Sequence, residues 1–120
     1  MPKVFVVDDE ADVFDLFQRY LPPSHYAVTY AVSGHQALQL AAEHEFDLAF
    51  VDYFLAEMNG AEVAQKMRKL QPKLKVVLMS CYPVSENVDV MTELAGASAW
   101  ISKPLNSSET RGIAEQVLHA

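Results

Sequence analysis

The sequence predicts a doubly wound α/β sandwich, a single parallel sheet covered by helices on both faces. Three observations predict it. Short apolar runs, many of them β-branched or aromatic, fall at residues 4–7, 26–30, 48–51, 76–79 and 99–101. Between them, apolar residues recur at intervals of three and four, the period of helices with one buried face. Strands joined through helices are connected by right-handed crossovers, so the sheet is parallel. With 120 residues and 51% hydrophobic content, the chain is expected to form one domain over 1–120 with a core that needs no staples.

The elements follow in order. Val4 to Val7 read as a buried strand that stops at Asp8-Asp9-Glu10. Val13, Leu16, Phe17, Tyr20 and Leu21 then mark a helix face that Pro22-Pro23 terminates. Tyr26 to Tyr30 form the second strand. Ser33 and Gln36 make a capping box for a helix packed through Ala37, Leu38 and Ala41. Leu48 to Val51 form a third strand, apolar on both faces and thus central, and it ends abruptly in Asp52. Asn59 and Glu62 repeat the capping signature, and Val63, Met67 and Leu70 stripe the third helix up to Pro72. Val76 to Met79 are the fourth strand, followed by Ser80-Cys81-Tyr82-Pro83. Ser85 caps an expected fourth helix with Val88, Met91 and Leu94, stopped by Gly96. Ala99, Trp100 and Ile101 form a short fifth strand ended by Ser102-Lys103-Pro104. Asn106 and Glu109 open a fifth helix packed through Ile113, Ala114, Val117 and Leu118.

Composition narrows the function. A net charge of -7 and a deficit of Lys and Arg clusters argue against direct nucleic acid binding by this domain. No apolar run approaches the roughly 20 residues of a membrane span, and Met1-Pro-Lys lacks a cleavable leader pattern. A single cysteine, Cys81, fits a reducing compartment, so a cytoplasmic location is expected. Cys81 reads as a small filler, and His25, His35, His44 and His119 show no metal or triad spacing.

Chemistry is expected at the carboxyl ends of the strands, where ligands bind on parallel sheets. Asp8 and Asp9, Asp52, Ser80 and Lys103 all fall at such ends. In the flavodoxin-like order 2-1-3-4-5, the first and third strands meet at the switch point and bring Asp8, Asp9 and Asp52 together. Each residue alone has a plainer explanation: an Asp doublet complements a helix dipole, a terminal Asp caps a turn, and a lysine is a solvated charge. Four such signals at four strand ends favour a site. Carboxylates about 5 Å apart repel by roughly 3 kcal/mol at an effective dielectric near 20, so a cation is called for. Hard oxygen ligands without Cys or His select Mg²⁺. Asp52 is then placed as a nucleophile toward a phosphoryl group, with Lys103 neutralising charge and Ser80 donating a hydrogen bond.

This set resembles the receiver domain of two-component response regulators across essentially all 120 residues. The matching elements are Asp8-Asp9, Asp52 with Gly60 eight residues on, Ser80, and Lys103-Pro104. The resemblance implies that Asp52 accepts phosphate from a histidine kinase or histidine phosphotransfer protein. It implies Mg²⁺ on Asp8, Asp9, Asp52 and the backbone carbonyl of Phe54, and a cis bond between Lys103 and Pro104. It further implies a switch through Ser80 and Trp100 that alters binding of a downstream effector, with a phosphorylation-dependent homodimer as one form of output. The role is that of a signalling phosphoacceptor, not an enzyme.

The sequence departs from the common receiver pattern at several positions. Ala56 stands where many receivers have proline, Trp100 is bulkier than the usual Tyr or Phe, and Cys81 replaces a smaller residue. Phe54 and Tyr82 occupy the positions that tune hydrolysis, and neither readily orients an attacking water, which predicts slow dephosphorylation. Three other readings compete. A Mg²⁺-dependent aspartyl-phosphate phosphatase of the haloacid dehalogenase type needs an acid where Phe54 stands. A flavodoxin-type flavin binder needs a small-residue anion loop where Asp8-Asp9-Glu10 repel phosphate. A phosphorylation-independent interaction module on this fold has no need of the intact acceptor set.

Overall fold

The computed structural model describes residues 1–80 and 96–120. Five strands form one parallel sheet: β1 (Lys3–Val7), β2 (Ala27–Ala31), β3 (Leu48–Asp52), β4 (Lys75–Ser80) and β5 (Ala99–Ser102), in the order β2-β1-β3-β4-β5. The flavodoxin-like order expected above is the one found. The described helices are α1 (Ala11–Tyr20), α2 (Gly34–Glu43), α3 (Gly60–Leu70) and α4 (Ser107–Leu118). The helix expected between Ser85 and Gly96, with Cys81 and Tyr82 before it, lies outside the described residues. Gly96 itself has φ 68°, the left-handed backbone that suits a helix stop.

Strand alternation divides the core into two layers. Phe5, Val7, Ala49, Val51, Val76 and Leu78 face α2 and α3, where they meet Ala37, Ala41, Val63 and Met67. Val4, Val6, Phe50, Val77, Met79 and Ile101 face the other way, onto Val13 and Phe17 of α1 and Ala114 and Val117 of α4. Burial of each such Val, Leu or Phe contributes about 1.5–3 kcal/mol, so the layers rather than the surface pairs hold the sheet. All five residues of β3 are buried, whereas the edge strand β2 buries only Ala31 fully. That contrast matches a central and an edge strand.

Caps and stops act as local chemistry dictates. Asn59 Oδ1 accepts from the Glu62 N–H at 2.8 Å, and Asn106 Oδ1 accepts from the Glu109 N–H at 2.8 Å. Ser33 Oγ accepts from the Gln36 N–H at 3.1 Å, but Gln36 reaches back to the Val32 N–H at 2.8 Å, one residue before the usual target. Glu10, by contrast, gives α1 no side-chain cap. Asp8 Oδ1 takes up the Glu10 N–H instead, at 2.9 Å.

Every strand differs from expectation by one residue at one end or both: β1 begins at Lys3, β3 ends at Asp52 and β4 runs from Lys75 to Ser80. The second strand is shifted by one residue to Ala27–Ala31, because Tyr26 turns its ring into the α1/α4 layer and donates its hydroxyl to Glu115. The fifth strand continues to Ser102, which pairs with Ser80. Among the described residues no helix is long and apolar enough to cross a membrane.

Candidate functional site: an acidic cleft at the carboxyl edge of the sheet

Register builds the site. Val7 pairs with Val51 across β1 and β3, so Asp8 and Asp52 emerge side by side. Asp52 pairs with Met79 and Ser80 with Ser102, which brings Ser80 and Lys103 to the same edge. The structure thereby gathers Asp8, Asp9 and Asp52, each offering a carboxylate oxygen within 4.8 Å of the others. Asp8 and Asp52 are buried, and Asp9 is exposed at the mouth.

Lys103 closes the cleft from the side of β5. Its ammonium donates to Asp8 Oδ2 at 2.6 Å and lies 3.5 Å from Asp52 Oδ2. Its stem spans the two strand spacings, about 10 Å, that separate β5 from β3, but its nearer partner is Asp8. A backbone bond helps to hold it there, the Lys103 N–H donating to the Ser80 carbonyl at 2.7 Å. The Lys103-Pro104 bond is cis. Ser80 is buried at the end of β4.

The electrostatics follow from this packing. Burial, then the Asp8 charge, outweigh Lys103 and the Phe54 N–H, and push the Asp52 carboxyl up to about 6. Burial works against the Lys103 ammonium, yet its hydrogen bond to Asp8 and the charges of Asp8, Asp52 and Glu10 prevail, so its pKa lies above the usual lysine value. One ammonium among three carboxylates leaves a negative deficit. An all-oxygen donor set with that deficit suits a hard divalent cation.

The loop after Asp52 is clamped from both sides. The Tyr53 N–H donates to the Met79 carbonyl at 2.8 Å, and the Gly60 N–H donates to the Tyr53 carbonyl at 2.7 Å. A Cβ on Gly60 would stand 2.8 Å from the Asp52 carbonyl carbon, so only glycine lets α3 start this close to the acceptor strand. Phe54 forms an isolated bridge with Asn59 and points its N–H toward Asp52 Oδ1 at 3.4 Å, the turn-capping arrangement in weak form. Its ring is half exposed and meets Tyr53 edge-on. Trp100 is half-buried in the α2/α3 layer, with its indole N–H buried and without a hydrogen-bond partner among the described residues. Tyr82 lies outside the described residues.

Sequence reasoning missed Tyr53, whose ring lies 5.7 Å from that of Trp100. The only available signal was the aromatic pair directly after Asp52. A groove of about 490 Å³ lined by Lys3, Thr29, Leu40, His44 and Phe46 lies at the opposite, amino edge of the sheet and takes no part in the cleft.

Fold and cleft define a class of α/β domain that works at the switch point of its sheet through acids from two adjacent strands and a lysine from a third. A family model for the response regulator receiver domain matches residues 4–115. The alginate biosynthesis transcriptional regulatory protein AlgB of Pseudomonas aeruginosa is 34% identical over 110 residues, 91% of this chain and 24% of that protein. A CheY-like response regulator receiver domain protein from Methanospirillum hungatei is 28% identical, with a TM-score of 0.91 over 99% of this chain and 94% of that one. The response regulator TrrA of Thermotoga maritima, solved in complex with Mg²⁺-BeF, is 26% identical, with a TM-score of 0.85 over 98% of this chain and 99% of that one. The chain belongs to the response regulator receiver domain family. It spans about a quarter of the length of the curated relatives it matches.

Proposed function

We propose that this domain accepts a phosphoryl group on Asp52 from the phosphohistidine of a sensor kinase or phosphotransfer protein, and that the modification changes its affinity for a downstream effector. The observation that carries this reading is the convergence of Asp8, Asp9 and Asp52 within 4.8 Å, with the Lys103 ammonium in contact with two of them. In the transfer, an Asp52 oxygen attacks phosphorus, the bond from phosphorus to the donor imidazole breaks, and an aspartyl phosphate forms. Asp8, Asp9, Asp52 and the Phe54 carbonyl would hold Mg²⁺, which when bound offsets charge on the phosphoryl oxygens. That TrrA, a relative of the same fold, is found in complex with Mg²⁺-BeF supports the choice of a hard cation.

The chain's own groups have separate roles. Lys103 neutralises an equatorial phosphoryl oxygen, and Ser80, at the neighbouring strand end, donates a hydrogen bond to another. Trp100 changes position in response and alters the surface beside β5, a population shift between two packings. The domain is a signalling acceptor that assists only its own phosphorylation and dephosphorylation. The single cysteine, Cys81, supports a reducing, cytoplasmic location for this reaction. The effector is another domain or protein, and a phosphorylation-dependent homodimer is one form that output takes.

Intact-mass analysis after incubation with acetyl phosphate and Mg²⁺ tests the assignment. A single phosphate adduct is expected in the parent and not in Asp52→Asn. An adduct in both, or in neither, overturns it.

A further inference from the structure

The receiver reading assigns no role to Tyr53. Three observations single it out. Its backbone is tied to β4 on one side and to Gly60 on the other, so its side chain leaves from a point fixed relative to Asp52. Its ring contacts Phe54 edge-on at 4.9 Å and Trp100 at 5.7 Å with a 49° tilt. The Trp100 indole N–H is buried and has no hydrogen-bond partner among the described residues.

The contact is unusual in what it spans. β3 and β5 are not neighbours, since β4 lies between them, and their backbones are about 10 Å apart. Trp100 pairs with Leu78, and Leu78 pairs with Val51, two residues before Tyr53 on the same face. Tyr53 and Trp100 therefore share the α2/α3 layer and reach toward each other over the last turn of the pleat of β4. That is also the face of Ser80, by the same alternation from Leu78. The residue next to the acceptor thus touches the residue expected to switch, with no intervening side chain needed.

We infer that Tyr53 is a positioning residue that couples the acceptor loop to Trp100 through direct ring contact. The inference rests on the phosphoacceptor reading for its consequence but not for its geometry. A tilted aromatic pair weights an equilibrium between two ring positions by roughly two- to tenfold, enough to change how Trp100 is populated. A group added to Asp52 displaces the adjoining loop, and Trp100 follows Tyr53 as well as Ser80. An indole whose N–H lacks a partner holds no hydrogen bond against that movement.

Trp100 is the only tryptophan, so its fluorescence reports the contact in the whole 120-residue chain. Without ligand, Tyr53→Leu should raise the acrylamide quenching of Trp100, whereas Tyr53→Phe, which keeps the ring, should match the parent. With Mg²⁺ and beryllofluoride, the emission change of the parent should shrink severalfold in Tyr53→Leu while the bound fluorine resonance persists in ¹⁹F NMR. Parental quenching together with a full emission response in Tyr53→Leu overturns the inference. If Tyr53→Leu loses its helical circular dichroism, Tyr53→Met is measured by the same criteria. A parent that binds no beryllofluoride defeats the phosphoacceptor reading instead, and the ligand-free quenching then decides the ring contact by itself.

Discussion

The Lys103 ammonium is 2.6 Å from an Asp8 oxygen and 3.5 Å from an Asp52 oxygen, so before any phosphorylation the amine at the end of β5 belongs mainly to the acid after β1. Asp8 is fully buried and would otherwise hold an uncompensated charge. Removing one partner of a buried pair costs roughly 3–5 kcal/mol. Lys103→Met is expected to lose about 3 kcal/mol of stability in EDTA. Millimolar Mg²⁺ should restore part of it, because a divalent cation takes over the neutralisation of Asp8. Urea unfolding of both proteins, with and without the metal, checks this.

Asp52 gives the metal-free protein a pH dependence of opposite sign to that of a salt-bridged carboxylate. Its pKa is raised from 3.8 to about 6. The stability associated with its protonated form is fully present below the ordinary value and is lost as pH rises through about 6. Above that range the ionised side chain costs up to about 3 kcal/mol. Asp52→Asn should therefore be more stable than the parent at pH 7 in EDTA, and the difference should narrow toward pH 4. Parallel urea titrations across that range are the measurement, and a constant difference would contradict the assignment.

Two glycines in helices should respond to alanine in opposite directions. At Gly60 the added methyl would meet the Asp52 carbonyl carbon and the Tyr53 Cα, both at 2.8 Å and both backbone. Gly60→Ala should cost about 1–3 kcal/mol and slow labelling by acetyl phosphate, because the acceptor strand must shift. At Gly112 a Cβ meets nothing within 4 Å, and Gly112→Ala should stabilise α4 by about 0.5–1 kcal/mol. Thermal melts give both signs in one experiment.

Phosphate lifetime should respond to the side chain at Phe54, which is half exposed and two residues beyond Asp52, toward which its backbone N–H points. An apolar ring there cannot orient water for attack on phosphorus. The double variant Phe54→Asn, Tyr82→Glu is expected to lose its phosphoryl group roughly tenfold faster or more than the parent. Decay followed by intact mass after removal of acetyl phosphate tests it, with equal rates as the contrary result.

Much of the fold was legible because its signals are local. Leu48 to Val51 is apolar at every position, which only a central strand tolerates, and all of it is buried. Asn59 and Asn106 announce their helices through a side chain acting three residues away. The shift of β2 was not legible, because Tyr26 is apolar and aromatic enough to read as strand while a distant acid, Glu115, claims its hydroxyl. The purpose of Gly60 was equally hidden. Its spacing from Asp52 was visible, but the reason, a helix starting against the acceptor's own carbonyl, depends on how the loop returns.

By itself the sequence determined which residues end the strands, and hence that acids, a hydroxyl and an amine crowd one rim of a parallel sheet. Periodicity and capping are encoded over a few residues, so they survive reading without coordinates. Only the tertiary structure decided that Lys103 prefers Asp8 to Asp52, and that Tyr53 reaches over β4 to Trp100. Both outcomes are set by long-range register and by which side chain fills a shared volume first, and no local pattern in a chain specifies either.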